Sequence, residues 1–220
     1  MLENLKEKVV KIAKEADKSG MCKHKSGNFS IRDKKTGYVV ITPSGVAREI
    51  LTSDHICVVD LDANVIEMKT ESKPSSELLM HLEVYKARKD VNAVVHTHSR
   101  FATAFAVLGK EIPPIVYECN NCGKKGRIPV APYGRPGTQI LAKNVAETLK
   151  DAEACLMENH GAIAAGKDID DAFLKAQYIE EIAEVYYMAL ILNNLKEPKI
   201  LPEQELEKWA YPSEVKFNNK

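Results

Sequence analysis

Ala93-Val94-Val95-His96-Thr97-His98 is the stretch whose reading sets the architecture. The apolar, β-branched run predicts a strand, and the side-chain period of two then puts His96 and His98 on one face of a sheet. Two imidazoles side by side on a hydrophobic strand are costly to bury unless they serve a common ligand. A divalent metal is the ligand that such a pair suits.

Upstream, Pro74-Ser75-Ser76-Glu77 opens a helix whose Leu78, Leu82 and Tyr85 share a face. Ser75 or Ser76 caps it, and Glu77 falls in its first turn, where the helix dipole favours a carboxylate. His81, four residues on, either pairs with Glu77 as a ligand or, more simply, is a packed histidine with a local hydrogen bond. Nearer the N-terminus, Leu5, Val9, Ile12, Ala13 and Ala16 recur at helical spacing over residues 2–19, with Gly20 as the stop. Tyr38-Val39-Val40-Ile41 and Ile56-Cys57-Val58-Val59 read as neighbouring strands, and Val65-Ile66-Glu67-Met68 as the return of a hairpin.

Downstream, residues 101–108 read as a helix and Ile128-Pro129-Val130 as a short strand. Residues 137–149 read as a helix capped by Thr138, with Ile140, Leu141, Val145 and Leu149 inward. Ala154-Cys155-Leu156-Met157 and Ala162-Ile163-Ala164-Ala165 are two further strands flanking Glu158-Asn159-His160-Gly161. A long helix over residues 169–195 carries Leu174, Tyr178, Ile182, Val185, Ala189 and Leu192 as its stripe, and the tail from about 198 is expected to be partly ordered.

The chemistry concentrates in two sets. His96, His98, His160 and Glu77 offer three nitrogens and an oxygen, which suits zinc; three imidazoles leave a position for substrate or a carboxylate, the arrangement of a catalytic centre. Ser26-Gly27-Asn28, Thr42-Pro43-Ser44-Gly45 and Pro74-Ser75-Ser76 place hydroxyls, amides and backbone N–H groups in turns, the third at a helix N-terminus, and together they could cradle a phosphate.

Composition narrows the classes. At 220 residues the chain fits one domain, and its 31 basic and 31 acidic residues cancel without a polybasic run, so neither nucleic acid nor an anionic membrane is an expected partner. No apolar stretch reaches the roughly 18 residues that span a bilayer, and the N-terminus reads as an amphipathic helix, so a cytoplasmic protein is expected. Five cysteines, an odd and scattered number, read as reduced thiols; Cys119-Asn120-Asn121-Cys122 has half-site spacing but no second pair, and reads as a loop with two thiols.

Six motifs in order, Gly27-Asn28-Phe29-Ser30, Ile41-Thr42-Pro43-Ser44-Gly45, Pro74-Ser75-Ser76-Glu77, His96-Thr97-His98, Ala131-Pro132-Tyr133 and Asn159-His160-Gly161, resemble the class II aldolase/epimerase family over about residues 5–195. The resemblance implies a single α/β domain with a central, mostly antiparallel sheet flanked by helices, assembled as a homotetramer with active sites between subunits. It implies Zn2+, or another divalent metal, on His96, His98 and His160, with Glu77 as fourth ligand and base, and phosphate on Gly27, Asn28, Ser44, Gly45, Ser75 and Ser76. Tyr117 matches a tyrosine that reaches into a neighbour's site as proton donor, and Tyr211 matches the family's C-terminal tyrosine. The implied reaction is reversible cleavage of a phosphorylated ketose into dihydroxyacetone phosphate and an aldehyde through a metal-stabilised enediolate. A pentulose-phosphate 4-epimerase, a methylthioribulose-1-phosphate dehydratase and a non-catalytic interaction module are the rivals on the same scaffold. The chain departs from the family's fuculose-phosphate branch at Cys119-Asn120-Asn121-Cys122-Gly123-Lys124-Lys125-Gly126 and at Arg135-Pro136, both at the aldehyde end of the implied pocket, and Lys25 adds a charge beside the implied phosphate site.

Overall fold

The computed structural model describes residues 1–207 and 216. Helix α1 (Glu3–Lys18) leads into β1 (Asn28–Arg32), β2 (Val39–Ile41), β3 (Cys57–Val59) and β4 (Val65–Glu67). Helix α2 (Leu78–Ala87) precedes β5 (Ala93–Thr97) and α3 (Arg100–Val107), followed by β6 (Val130–Ala131), α4 (Gln139–Thr148), β7 (Ala154–Met157), β8 (Gly161–Gly166), α5 (Ile169–Leu192) and a short α6 (Glu203–Glu207). The strands form an eight-stranded sheet in the order β4-β3-β2-β1-β5-β8-β7-β6. Every pairing is antiparallel except β6 with β7.

Helices cover both faces, and the two cores read off strand parity. Ala93 and Val95 of β5 face a core with Val9 and Ile12 of α1 and Ile179 and Ile182 of α5, whereas Val94 faces one with Leu82 and Tyr85 of α2 and Leu141 and Val145 of α4. His96 has the parity of Val94, so β5 aims it at the α2 side of the sheet. Each fully buried Ile or Leu in these layers contributes about 1.5–3 kcal/mol over an exposed one.

Three expectations need correction. Asn28–Arg32 is a central strand, where the sequence reads only a turn at 26–28, because its polar residues Asn28, Ser30 and Arg32 all lie on a buried face and mask the apolar signal. Ile140 is exposed, and α4 buries Leu141, Ala142, Val145 and Ala146 instead. Leu174 and Leu192 are likewise exposed, since α5 buries Ala172, Phe173, Ala176, Ile179, Ile182, Ala183 and Tyr186. Alanine packs close to a sheet as readily as leucine, so a stripe drawn through the large residues alone is rotated from the true buried face. Beyond residue 198, the short α6 buries Leu206.

Candidate active site

Strand parity, a helix start and a hairpin bring four distant side chains together. Asn28 and His96 are directly paired across β1 and β5, and both face the start of α2. Glu77 is the N-cap of α2 rather than a first-turn residue; its backbone N–H donates to Ser75 Oγ at 3.2 Å, which holds the cap in place. His160 sits on the β7–β8 hairpin, where Asn159 takes the left-handed conformation (φ 54°) that short polar side chains tolerate. Gly161 follows because nothing larger fits: a Cβ there would lie 2.5 Å from the Thr97 carbonyl oxygen.

His96 Nε2 is 2.9 Å from His98 Nε2 and 3.0 Å from Glu77 Oε2, and His160 Nε2 is 3.2 Å from Glu77 Oε1. The ligand atoms of the four residues lie within 4.8 Å of one another. His96 Nδ1 is 2.8 Å from the Ala162 carbonyl, which can only accept, so Nδ1 carries a proton and Nε2 is the nitrogen turned to the centre. Among the described residues, Glu77 Oε1 is buried without a hydrogen-bond partner. Lone pairs gathered around a buried carboxylate repel one another unless a cation lies between them, so the donor set fits a divalent metal.

Burial raises the Glu77 carboxyl, but the charge and hydrogen bond of His96, then His160 and Asn28, prevail and hold it well below the usual carboxylate range. Burial pulls His96 down, and Glu77 against it prevails in the other direction. Burial first and the neighbouring His96 second hold His98 at about 3 and His160 at about 4, so both rings are neutral at physiological pH, the form that binds a metal.

Glu77, His98 and His160 border a cavity of about 290 Å³, and His96 lies fully buried behind them. All six residues expected at the phosphate, Gly27, Asn28, Ser44, Gly45, Ser75 and Ser76, line it, with Lys25 beside them. Gly27 is fixed by its backbone (φ 73°) and by crowding, since a Cβ would sit 2.7 Å from the His96 carbonyl oxygen. Arg48, which the sequence reading passes over, holds this turn from behind: its buried guanidinium donates to the carbonyls of Ser26 at 3.2 Å and Gly27 at 2.8 Å. Pro136, next to Arg135, closes another side.

Tyr117 is not among the cavity-lining residues of this chain; it lies half-exposed in a 3-10 turn, Tyr117–Asn121. Tyr211 falls outside the described residues. Cys119 and Cys122 are buried, and burial pushes both thiols up, away from the thiolate that metal binding or redox chemistry needs. His81 is the packed histidine of the simpler reading: fully buried, it bonds Ser30 and Asn28 rather than joining the four ligands.

Among the described residues, no helix is long and apolar enough to cross a membrane. The family model for the class II aldolase and adducin N-terminal domain matches residues 7–187. The chain is 40% identical over 210 residues to a 5-deoxy-D-ribulose 1-phosphate aldolase of Bacillus thuringiensis, covering 96% of this chain and 95% of that one. It is 42% identical over 170 residues to an L-fuculose phosphate aldolase of Methanococcus maripaludis, covering 77% and 87%. Among solved structures, an L-fuculose 1-phosphate aldolase superposes with a TM-score of 0.87 at 33% identity, over 93% of each chain. With a Glu/His3 cluster beside that cavity and relatives aligned over nearly its whole length, the chain belongs to the class II aldolase and adducin N-terminal domain family, and is one of its aldolases.

Proposed function

We propose that this chain is a zinc-dependent aldolase that reversibly cleaves a phosphorylated ketose, of the L-fuculose 1-phosphate or 5-deoxyribulose 1-phosphate kind, into dihydroxyacetone phosphate and a short methyl-ended aldehyde. The observation that carries this reading is the convergence of three histidines and Glu77 within 4.8 Å of one another beside a cavity rich in Ser, Gly and Asn turns. His96, His98 and His160 would hold the metal with Glu77 as fourth ligand. A divalent cation bound there supplies Lewis acidity to the carbonyl and hydroxyl oxygens of the ketose and so offsets the negative charge that cleavage leaves.

The chain's own residues account for the rest. Glu77, ionised at neutral pH, has Asn28 on Oε2 and leaves Oε1 to receive a hydroxyl proton, the task of a general base. Gly27, Asn28, Ser44, Gly45, Ser75 and Ser76 would bind the phosphate beside the N-terminus of α2, with Lys25 adding charge, and so hold the reacting carbons at the centre. Tyr117, half-exposed in one chain, would act as proton donor across a subunit boundary in a cytoplasmic homotetramer.

Incubating the zinc-loaded protein with each ketose 1-phosphate and detecting dihydroxyacetone phosphate with a coupled reductase tests this. Release of dihydroxyacetone phosphate is expected; inversion without cleavage, or loss of water with no aldehyde formed, overturns it in favour of an epimerase or a dehydratase. Glu77→Gln should fold and lose turnover by about 10²–10⁴-fold. Protein that binds no divalent ion by elemental analysis, and gains nothing from added zinc, overturns the metal.

A further inference from the structure

A row of polar residues runs away from the site into the core, and two matched repeats build it. On α2, Glu77, His81 and Tyr85 recur every four residues; on β1, Asn28, Ser30 and Arg32 recur every two. Four residues of helix rise about 6 Å and two residues of strand about 6.7 Å, so the two rows stay in step where α2 lies over β1. All six residues are buried.

The hydrogen bonds between the rows have only one consistent direction. The Glu77 carboxylate can only accept, so Asn28 turns its Nδ2 toward Oε2, at 2.9 Å. Asn28 Oδ1 then faces His81 Nε2 at 2.5 Å, and this nitrogen must carry the proton. Burial, and the charge of His96 after it, hold His81 at about 3, so the ring is neutral and Nδ1 is bare. Nδ1 therefore accepts from Ser30 Oγ at 2.6 Å, and Ser30 in turn accepts from the Tyr85 hydroxyl at 2.7 Å, a phenol that burial keeps protonated. Arg32 closes the far end, stacked 5.2 Å over the Tyr85 ring and donating to the Tyr85 carbonyl.

We propose that His81 is a positioning residue which, through Asn28, fixes the orientation of the Glu77 carboxylate. Without the His81 N–H, the Asn28 amide is free to turn its oxygen toward Glu77, placing acceptor against acceptor beside the metal ligands. Tyr85 and Ser30 prevent this by setting the His81 tautomer. The inference rests on the reading of Glu77 as a metal ligand and base.

The test uses the full-length chain and zinc alone, titrated against a chromophoric chelator. His81→Leu is expected to weaken zinc binding by about 10–100-fold, the range for losing an outer hydrogen bond to a ligand, while His81→Gln, whose amide nitrogen can replace the Nε2 donor, recovers most of it. Histidine-¹⁵N spectra of the wild-type protein, with the His81 signal identified by its ring's through-space contacts with Asn28 and Ser30, should report the Nε2–H tautomer from pH 5 to 8, a measurement that needs no variant to fold. The Nδ1–H tautomer overturns the inference. So does unchanged zinc affinity in His81→Leu where Glu77→Gln loses it, and that outcome leaves the aldolase reading intact. Unchanged affinity in both variants removes Glu77 from the metal and overturns both.

Discussion

Glu180, midway along α5, accepts the backbone N–H of Ala102 at 2.9 Å on one carboxylate oxygen, and on the other that of Phe101 at 3.0 Å. These are two of the free first-turn donors of α3, a helix whose own N-cap, Ser99, makes no side-chain cap. A carboxylate at a helix N-terminus satisfies two orphan N–H groups and complements the dipole. Here it comes from 78 residues downstream of Ala102 in the chain, and it anchors the backbone three and four residues past His98. Glu180→Gln keeps one acceptor and loses the charge, and should cost about 1–2 kcal/mol in urea unfolding. It should also weaken zinc binding, because His98 leads directly into the loosened turn. Equal stability in the two proteins would remove the cap.

Gly161 tests how closely the His160 hairpin must approach β5. A Cβ at this position would meet the Thr97 carbonyl at 2.5 Å and His96 Cε1 at 3.3 Å, both rigid parts of the centre. Gly161→Ala must therefore push β8 away from β5 where the ligands meet. Crowding of this kind costs about 1–3 kcal/mol, and chelator competition should show zinc binding weakened more than global stability alone accounts for. Unperturbed zinc affinity would mean that the hairpin shifts without carrying His160 along.

The site was more legible in the sequence than the layers that support it. His96 and His98 announce themselves because imidazoles interrupt an apolar run at strand spacing, and His160 because Asn and Gly bracket it in a turn between two apolar strands. Asn28 reads as part of a turn in the sequence, since the polar face of β1 points inward, where a strand pattern is expected to be apolar. The Glu77, His81 and Tyr85 row was half legible: the spacing is plain, but nothing local to α2 tells a ligand pair from a packed histidine until β1 is laid beside it. Glu180 carries no local signal at all, because its partners are chosen by the packing of α3 on α5.

Lys6 and Glu67 tie α1 to the edge strand β4, and their burial is unequal. The Lys6 side chain is completely buried, while Glu67 keeps 21% of its side chain exposed. Removing the carboxylate strands an ammonium in the core, so Glu67→Ala should cost about 3 kcal/mol, whereas the double replacement Lys6→Met with Glu67→Leu should fall within about 1 kcal/mol of wild type. The pair also sets a pH dependence. Lys6 first, and the Met1 ammonium second, hold the Glu67 carboxyl down to about 2 against an ordinary value of 4.5. Between these values the unfolded chain takes up a proton that the folded one refuses. The contribution is therefore complete above pH 4.5 and is lost as the pH falls toward 2. Urea midpoints taken across that window should drop less steeply in the double variant than in wild type; parallel curves would mean that Glu67 titrates as a free surface carboxylate.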